Sequence, residues 1–158
     1  MKMNIQTSQK TLVALVVVLL LNILNVNKVA AGQLHVVDIN TLTMTLNRIE
    51  DNKKILFFFT SWCPYCKSAI DEIVKSGKTE RILFISLDKD YEKISAMTSK
   101  MPESIDVYYM NSPEEILNVF RKFNIKYRDT IPHIAILDED NRLIKDNVNI
   151  RQLYRYIK

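Results

Sequence analysis

The sequence contains few of the residues that cross-link or interrupt a small protein. Its 158 residues include only two cysteines, two glycines and four prolines, so the chain can form at most one internal disulfide. No internal repeats are visible, and hydrophobic residues make up 47% of the chain, which excludes an intrinsically disordered protein. A chain of this length has the size of one domain and buries a core without covalent staples.

An excess of positive charge is also missing from most of the chain. The formal net charge is +4, but residues 1–31 contribute three lysines and no acid, which leaves +1 for the remainder. That remainder has no stripe of lysine or arginine interleaved with aromatic residues. Nucleic acid is therefore not an expected partner.

The N-terminal segment has the three-part pattern of a secretory signal peptide. Residues 1–10 carry two lysines and no acid, residues 12–21 are an unbroken apolar run, and Val29-Ala30-Ala31 supplies small residues at the end. The apolar run is shorter than the roughly twenty residues that a spanning helix needs. The pattern predicts a signal peptide over residues 1–31 and an exported domain over residues 32–158, located in the periplasm or another extracytoplasmic space.

An uncleaved membrane anchor is the alternative interpretation of this segment. Asn22 interrupts the apolar run, but Ile23, Leu24 and Val26 extend the apolar character beyond it. Both interpretations export the domain that follows.

The spacing of the two cysteines favours a redox pair. Structural disulfides in an oxidising compartment usually close long loops, because their stabilising effect grows with loop size. A bridge between Cys63 and Cys66 would restrict the unfolded chain very little. A zinc or iron–sulfur half-site is the competing interpretation, but a complete site needs more cysteine or histidine ligands than one such chain supplies.

From Leu34 onward, strand-like and helix-like segments alternate with short connections, which predicts an α/β domain with a central sheet. Residues 53–59 form a continuous apolar run, typical of a central strand that is buried on both faces. Asn40 or Thr41 is the expected cap of the first helix. The other predicted strands are 34–39, 81–88, 105–110, 131–137 and 142–145. Three predicted helices cover residues 40–51, 91–100 and 150–157. Two more helices are predicted, one that follows the cysteines and ends near Lys75 and one that begins at Ser112.

The segment around the cysteines joins the central strand to the next helix. At a helix N-terminus, free backbone N–H groups and the positive end of the dipole favour the thiolate of Cys63. Cys66 lies one turn further on, where it can attack a mixed disulfide between Cys63 and a substrate. Pro64 fixes the turn, and Tyr65 modulates the surroundings of the thiolate. We predict Cys63 as the nucleophile and Cys66 as the resolving thiol.

A strand followed by Thr60-Ser61-Trp62-Cys63-Pro64-Tyr65-Cys66-Lys67 and a helix resembles the thioredoxin superfamily. The second mark is Ile131-Pro132 at the start of a late apolar strand, where that family places a cis-proline facing the redox cysteines. The resemblance covers about residues 34–158. Its additional strand and helix over residues 105–125, with the turn at 138–142, look most like the exported TlpA-like branch.

The resemblance implies a thioredoxin-like fold, in which helices flank a central mixed sheet, and a disulfide-exchange enzyme that needs no cofactor. Protein thiols or disulfides are the implied substrates, and a membrane-bound protein is the implied partner that recycles the pair. The implied substrate groove is formed by Trp62, Pro64, Tyr65, Ile131 and Pro132.

Three positions depart from the family pattern. Phe57 stands where thioredoxins commonly carry a buried aspartate that assists proton transfer, and Asp71 stands where they often carry a helix-kinking proline. Ala69 replaces a glutamate of the TlpA-like branch. Because of these departures, a binding module of the same fold without redox activity is an alternative interpretation.

A metal-handling protein is the other alternative, with copper or zinc held by Cys63, Cys66 and His133. His133 is adjacent to the expected cis-proline. However, the alternation of side chains along a strand should turn His133 away from the face that Pro132 occupies. A packed, non-functional histidine is therefore the simpler interpretation.

Overall fold

The computed structural model describes residues 31–157, so the predicted signal segment lies outside the described residues except for Ala31. Within the described part, no helix is long and apolar enough to cross a membrane. The strands are β1 Gln33–Val36, β2 Lys53–Phe59, β3 Ile82–Ser86, β4 Asp106–Tyr109, β5 His133–Asp138 and β6 Leu143–Lys145. The helices are α1 Ile39–Asn47, α2 Pro64–Lys75, α3 Tyr91–Thr98, α4 Pro113–Lys122 and α5 Ile150–Leu153.

The six strands form one mixed sheet in the order β1-β4-β3-β2-β5-β6. Strand β2 pairs in parallel with β3 and antiparallel with β5, so it lies inside the sheet as its continuous apolar run predicts. Strand β4 is inserted between β1 and β3, and both of its pairings are parallel. The predicted mixed sheet and the additional strand with its helix are thus confirmed.

Alternation along β2 divides the core between the two faces of the sheet. Phe57 and Phe59 belong to one buried cluster, which also contains the two cysteines and the buried side of α2. Phe58 belongs to the opposite cluster, which it shares with Phe120 of α4 and with α1. We call these sides the cysteine face and the α4 face. Because successive strand residues point in opposite directions, the run of three phenylalanines supplies both cores at once.

Helix α2 ends where the sequence predicts. Its last residue is Lys75, and Gly77 follows in the left-handed region with φ of 67°. Glycine adopts this conformation without the steric cost that a Cβ atom imposes, which suits the residue that terminates a helix.

Several predicted helix boundaries are wrong, including the end of α1, which is Asn47 and not residue 51, and the end of α3, which is Thr98 and not residue 100. Helix α1 begins at Ile39 and is capped by Asp38, whose carboxylate accepts a hydrogen bond from the Thr41 N–H at 2.7 Å. This bond lowers the pKa of Asp38, because the ionised carboxylate is the better acceptor. Helix α5 ends at Leu153, because the next N–H groups bond to carbonyls three residues back, as in the tighter 3₁₀ geometry.

Candidate active site

The two cysteines form a disulfide at the N-terminus of α2, close to the end of β2. Their Cα atoms are 5.2 Å apart, within the range of ordinary disulfides. Cys63 occupies the N-cap position, where its sulfur accepts a hydrogen bond from the Cys66 N–H at 3.1 Å. The same N–H would stabilise a Cys63 thiolate after reduction, because hydrogen bonding to a charged form favours it.

The loop before β5 lies beside this disulfide. The Ile131-Pro132 peptide bond is cis, and the Ile131 carbonyl oxygen lies 4.0 Å from the Cys63 sulfur. Ile131 and Pro132 are both half-buried. The structure therefore brings the sequence-predicted proline loop to the cysteine pair.

Two aromatic side chains next to the cysteines are largely exposed, one before Cys63 and one in the first turn of α2. Trp62 is 69% exposed and Tyr65 is 79% exposed, whereas Cys63 and Cys66 are 3% and 0% exposed. Trp62 and Ile131 also line a cavity of about 360 Å³. Trp62 and Tyr65 are therefore free to contact a molecule that approaches the disulfide.

A buried carboxylate that the sequence interpretation missed holds residues 60–63 between β2 and α2, which we call the cysteine loop. Asp88 accepts hydrogen bonds from the Ser61 N–H at 2.7 Å and the Ser61 hydroxyl at 2.7 Å. It also accepts one from the Ser86 hydroxyl at 2.8 Å. Ser61 precedes Trp62 and Cys63, so Asp88 fixes the backbone that leads to the sulfur. The available signal was the position of Asp88 after β3, since parallel strands β2 and β3 end at the same edge of the sheet.

His133 is fully buried but does not join the cysteines. Its Nε2 lies 2.7 Å from Asp146 Oδ1, and its ring packs against Phe58 and Tyr127. Phe58 belongs to the α4 face, so His133 points to the side of the sheet opposite the disulfide, as strand alternation predicts. The described residues contain no cluster of three or more histidine, cysteine, aspartate or glutamate side chains that could hold a metal ion.

The departures from the thioredoxin pattern have visible structural consequences. Phe57 is fully buried, and its ring lies 5.5 Å from that of Phe84 and 6.3 Å from that of Phe59, measured between centroids. Asp71 is exposed on an α2 that continues unbroken to Lys75, and Ala69 is buried in the cysteine face. Packed phenylalanine rings thus occupy the position of the usual aspartate, and α2 is a continuous helix without the usual proline.

A family model described as thioredoxin-like matches residues 52–143, more than half of the chain. The chain belongs to the thioredoxin-like family. The matched region of this thioredoxin-like protein includes both cysteines and the cis-proline. Comparison with curated proteins gives no match.

Several solved structures share the fold. The C-terminal domain of an uncharacterized protein from Bacteroides fragilis has a TM-score of 0.52 at 16% identity, over 71% of this chain and 82% of that chain. A thiol:disulfide interchange protein from Bacteroides sp. has a TM-score of 0.51 at 15% identity, over 71% and 74%. The reduced N-terminal domain of PilB from N. meningitidis has a TM-score of 0.51 at 16% identity, over 72% and 83%. At these identities the likeness shows the fold.

Proposed function

We propose that this thioredoxin-like domain is an exported thiol-disulfide oxidoreductase that exchanges disulfides with protein substrates. The observation that carries the proposal is a disulfide at a helix N-terminus, beside a cis-proline loop, with the exposed side chains of Trp62 and Tyr65 next to the cysteines along the chain. A thiol:disulfide interchange protein from Bacteroides sp. with the same fold supports it. No cofactor is needed, because the cysteine pair itself carries two electrons.

In the oxidising direction, a substrate thiolate attacks the Cys63 sulfur and the bond to Cys66 breaks. Cys66 leaves as a thiolate that takes up a proton, and the substrate is held by a mixed disulfide on Cys63. A second substrate thiolate then attacks the substrate sulfur and releases Cys63. The substrate loses two electrons and gains a disulfide, and the cysteine pair gains the two electrons.

The cysteines have different surroundings, which supports different roles for them. Cys63 caps the helix next to exposed Trp62, and its sulfur accepts the Cys66 N–H. Cys66 lies within the first turn and is completely buried. Of the two cysteines only Cys63 keeps any exposed surface, 3%, so it is the one that a substrate attacks or that attacks a substrate, and the dipole of α2 favours its thiolate more strongly.

Replacement of each cysteine by serine tests this division of roles. Cys63→Ser should abolish exchange and capture no substrate. In Cys66→Ser, the Cys63 thiolate attacks a substrate disulfide, one substrate sulfur leaves as a thiolate, and no second thiol resolves the product, so mixed disulfides that a reductant releases should accumulate. Non-reducing gels of both variants, with and without reductant, make the comparison. Identical patterns that do not respond to reductant would contradict the mechanism.

The same variants separate the proposal from its alternatives. A copper or zinc carrier would use both cysteines as equivalent ligands, so both substitutions would weaken metal binding alike and neither would trap a substrate. A binding module without redox activity would not reduce insulin disulfides in the presence of a reductant. Metal content after purification under reducing conditions and an insulin-reduction assay distinguish these cases.

Export to the periplasm or another extracytoplasmic space, with a membrane-bound protein recycling the pair, is part of the proposal. Its support is the charged, apolar and small-residue pattern of residues 1–31. Removal of that segment would leave Gly32 as the first residue, directly before β1. Intact-mass analysis of the exported protein should give the mass of a chain that begins at Gly32. A full-length species embedded in the membrane would instead indicate an uncleaved anchor.

A further inference from the structure

A groove on the cysteine face runs between α2 and α3 and reaches Ser61 and Trp62, the residues that precede Cys63. It has a volume of about 640 Å³, and Trp62 lines one end. Its floor is apolar and includes Ile70 and Val74 of α2 and Met97 of α3. Because Trp62 directly precedes Cys63, a molecule bound covalently to the Cys63 sulfur has this groove next to it.

The rim of the groove is strongly basic. Four lysines line it, two from α2 and two from α3 or its C-terminal end, and Asp71 is the single acid among the lining residues. All four lysines are exposed. Within residues 31–157, only Lys93 of the four forms an ion pair, with Asp90 at 3.5 Å. The lysines are Lys67, Lys75, Lys93 and Lys100, and we call this site the lysine groove.

We propose that the lysine groove binds an acidic segment of the substrate protein, next to the cysteine that reacts with Cys63. This inference rests on the proposed function. The lysines attract carboxylates of the segment, and an apolar side chain of the same segment packs on the floor around Met97. Charge complementarity of this kind raises association rates and selects partners more than it raises final affinity.

The geometry limits where the acidic residues lie in the substrate sequence. From Cys63 to Lys75 the helix rises about 18 Å, at about 1.5 Å per residue. An extended chain advances about 3.3 Å per residue, so about five or six residues cover this length. The acidic residues should therefore lie within about six residues of the reactive cysteine.

A protein segment fits the groove better than a membrane surface does. The lysines surround a concave apolar floor, whereas a bilayer presents a flat layer of headgroups to a protruding surface. The groove is also lined by Trp62, the residue before Cys63, so residues that flank a substrate cysteine bound to Cys63 can reach it. Both features favour a chain that is already attached at Cys63.

Matched peptides test the proposal with the reduced full chain. Each peptide carries one cysteine as a mixed disulfide with 2-thiopyridine, followed within six residues by a leucine and two glutamates, or by a leucine and two lysines. Cys63 attacks the peptide sulfur, the S–S bond breaks, and 2-thiopyridone leaves with the electron pair and a proton. Cys66 then attacks Cys63 and releases the peptide thiol, so the absorbance of 2-thiopyridone reports the first step.

We expect the acidic peptide to react about fivefold faster than the basic peptide at low salt, and the ratio to fall below about twofold at high salt. Replacing leucine by serine in the acidic peptide should lower its rate, because the apolar floor then has no partner. The double variant K75E/K100E should remove the preference for the acidic peptide. The control K78E/K122E makes the same change in net charge at exposed lysines outside the groove lining and should keep the preference.

Several results would overturn the inference. These are equal rates for the two peptides, a preference that survives K75E/K100E, or a preference lost equally in K78E/K122E. Displacement of the acidic peptide by anionic phosphatidylglycerol vesicles would indicate a lipid site instead. A dimer in sedimentation that K75E/K100E dissociates would indicate that a second copy occupies the groove.

A neutral small disulfide separates failure of this inference from failure of the proposed function. Dipyridyl disulfide is uncharged and too small to reach the far lysines. If the reduced protein reacts with it through Cys63 but does not discriminate between the peptides, only the groove proposal fails. If the protein reacts with none of the three compounds, the proposed redox function fails.

Discussion

Two loops flank the disulfide, and a carboxylate anchors each of them, but the two anchors differ in burial and in partner. The cysteine loop is held by Asp88, which is 5% exposed and accepts hydrogen bonds from Ser61 and Ser86. The cis-proline loop is held through His133, whose partner Asp146 has a side chain that is 20% exposed. Asp88 binds the cysteine loop directly and is almost completely buried. Asp146 acts on the cis-proline loop through the imidazole of His133, and its carboxylate is partly exposed to solvent.

This difference predicts that the cysteine loop and the cis-proline loop differ in rigidity. Loss of Asp88 leaves three donor groups without their acceptor, and the Ser86 hydroxyl among them is fully buried, so its desolvation penalty is not recovered. Loss of Asp146 leaves one buried group without its partner, the His133 ring, because water can replace the carboxylate at the exposed Lys126 N–H. The backbone that leads to Cys63 should therefore be fixed more firmly than the loop that covers the disulfide.

Removal of the Asp88 carboxylate should give the largest effect on stability. Asp88→Ala leaves the half-buried Ser61 N–H and hydroxyl and the fully buried Ser86 hydroxyl without their acceptor, which should lower the free energy of unfolding by about 2–4 kcal/mol. The variant should also react more slowly with a neutral small disulfide, because the Cys63 backbone loses its support. Urea unfolding and the reaction rate measure the two effects.

Two further variants show whether burial of Asp88 is the cause. Asp88→Asn keeps an oxygen that can accept the Ser61 N–H, so it should cost less than Asp88→Ala. Asp90→Ala removes an exposed carboxylate at the N-cap of α3 and should cost about 1 kcal/mol. If Asp88→Ala lowers the free energy of unfolding no more than Asp90→Ala does, Asp88 is not the buried anchor of the cysteine loop.

The Asp88 anchor also shows where prediction from the sequence reaches its limit. The central position of β2, the helix start at Cys63 and the proline loop are predictable, because each depends on a local pattern of apolar residues, turn residues or spacing. The contact between Asp88 and Ser61 spans 27 residues and depends on the conformation of two loops. No local pattern encodes such a contact.

The lysine groove was missed for a related reason. Its four lysines are spread over residues 67–100, so no charge cluster is visible along the chain. They come together because α2 and α3 both lie on the cysteine face. For His133, strand alternation predicts the face correctly but does not indicate Asp146 as the partner.

Removal of the second carboxylate should have a smaller effect than removal of the first. Asp146→Ala leaves the His133 ring without its partner, while water can replace the acceptor of the Lys126 N–H at the surface. We expect a loss of about 1–2 kcal/mol in the free energy of unfolding. Asp140→Ala, at an exposed ion pair with Arg142, is the control and should change stability by less than about 0.5 kcal/mol.

A double variant sharpens this test. In Asp146→Ala, both ring nitrogens of buried His133 lack a hydrogen-bond partner, since Nδ1 has none within the described residues even in the wild type. His133→Leu removes this unsatisfied polar group, so His133→Leu combined with Asp146→Ala should be more stable than Asp146→Ala alone. A double variant that is less stable than both single variants would argue against an anchor that acts through the imidazole.

The smallest expected effect concerns Tyr127, which packs against His133 on the solvent side of the second anchor. Partial burial raises the pKa of Tyr127, and the nearby negative charge of Asp129 raises it further. The folded state therefore favours the neutral phenol. This contribution to stability is fully present below the unfolded pKa of about 10 and is lost as the pH rises through the higher folded pKa.

Titration of phenolate absorbance measures this effect in the folded protein. Tyr127→Phe should remove one of the transitions that lie above the ordinary tyrosine pKa, and those of Tyr108 and Tyr154 should remain, because burial also raises their pKa values. Asp129→Asn should lower the Tyr127 transition only in part, since burial is the larger cause. A Tyr127 transition at the ordinary pKa in the wild type would mean that water reaches the phenol freely. The loop around His133 would then be more open than its packing indicates, and the difference in firmness between the two anchors would be larger than the structure suggests.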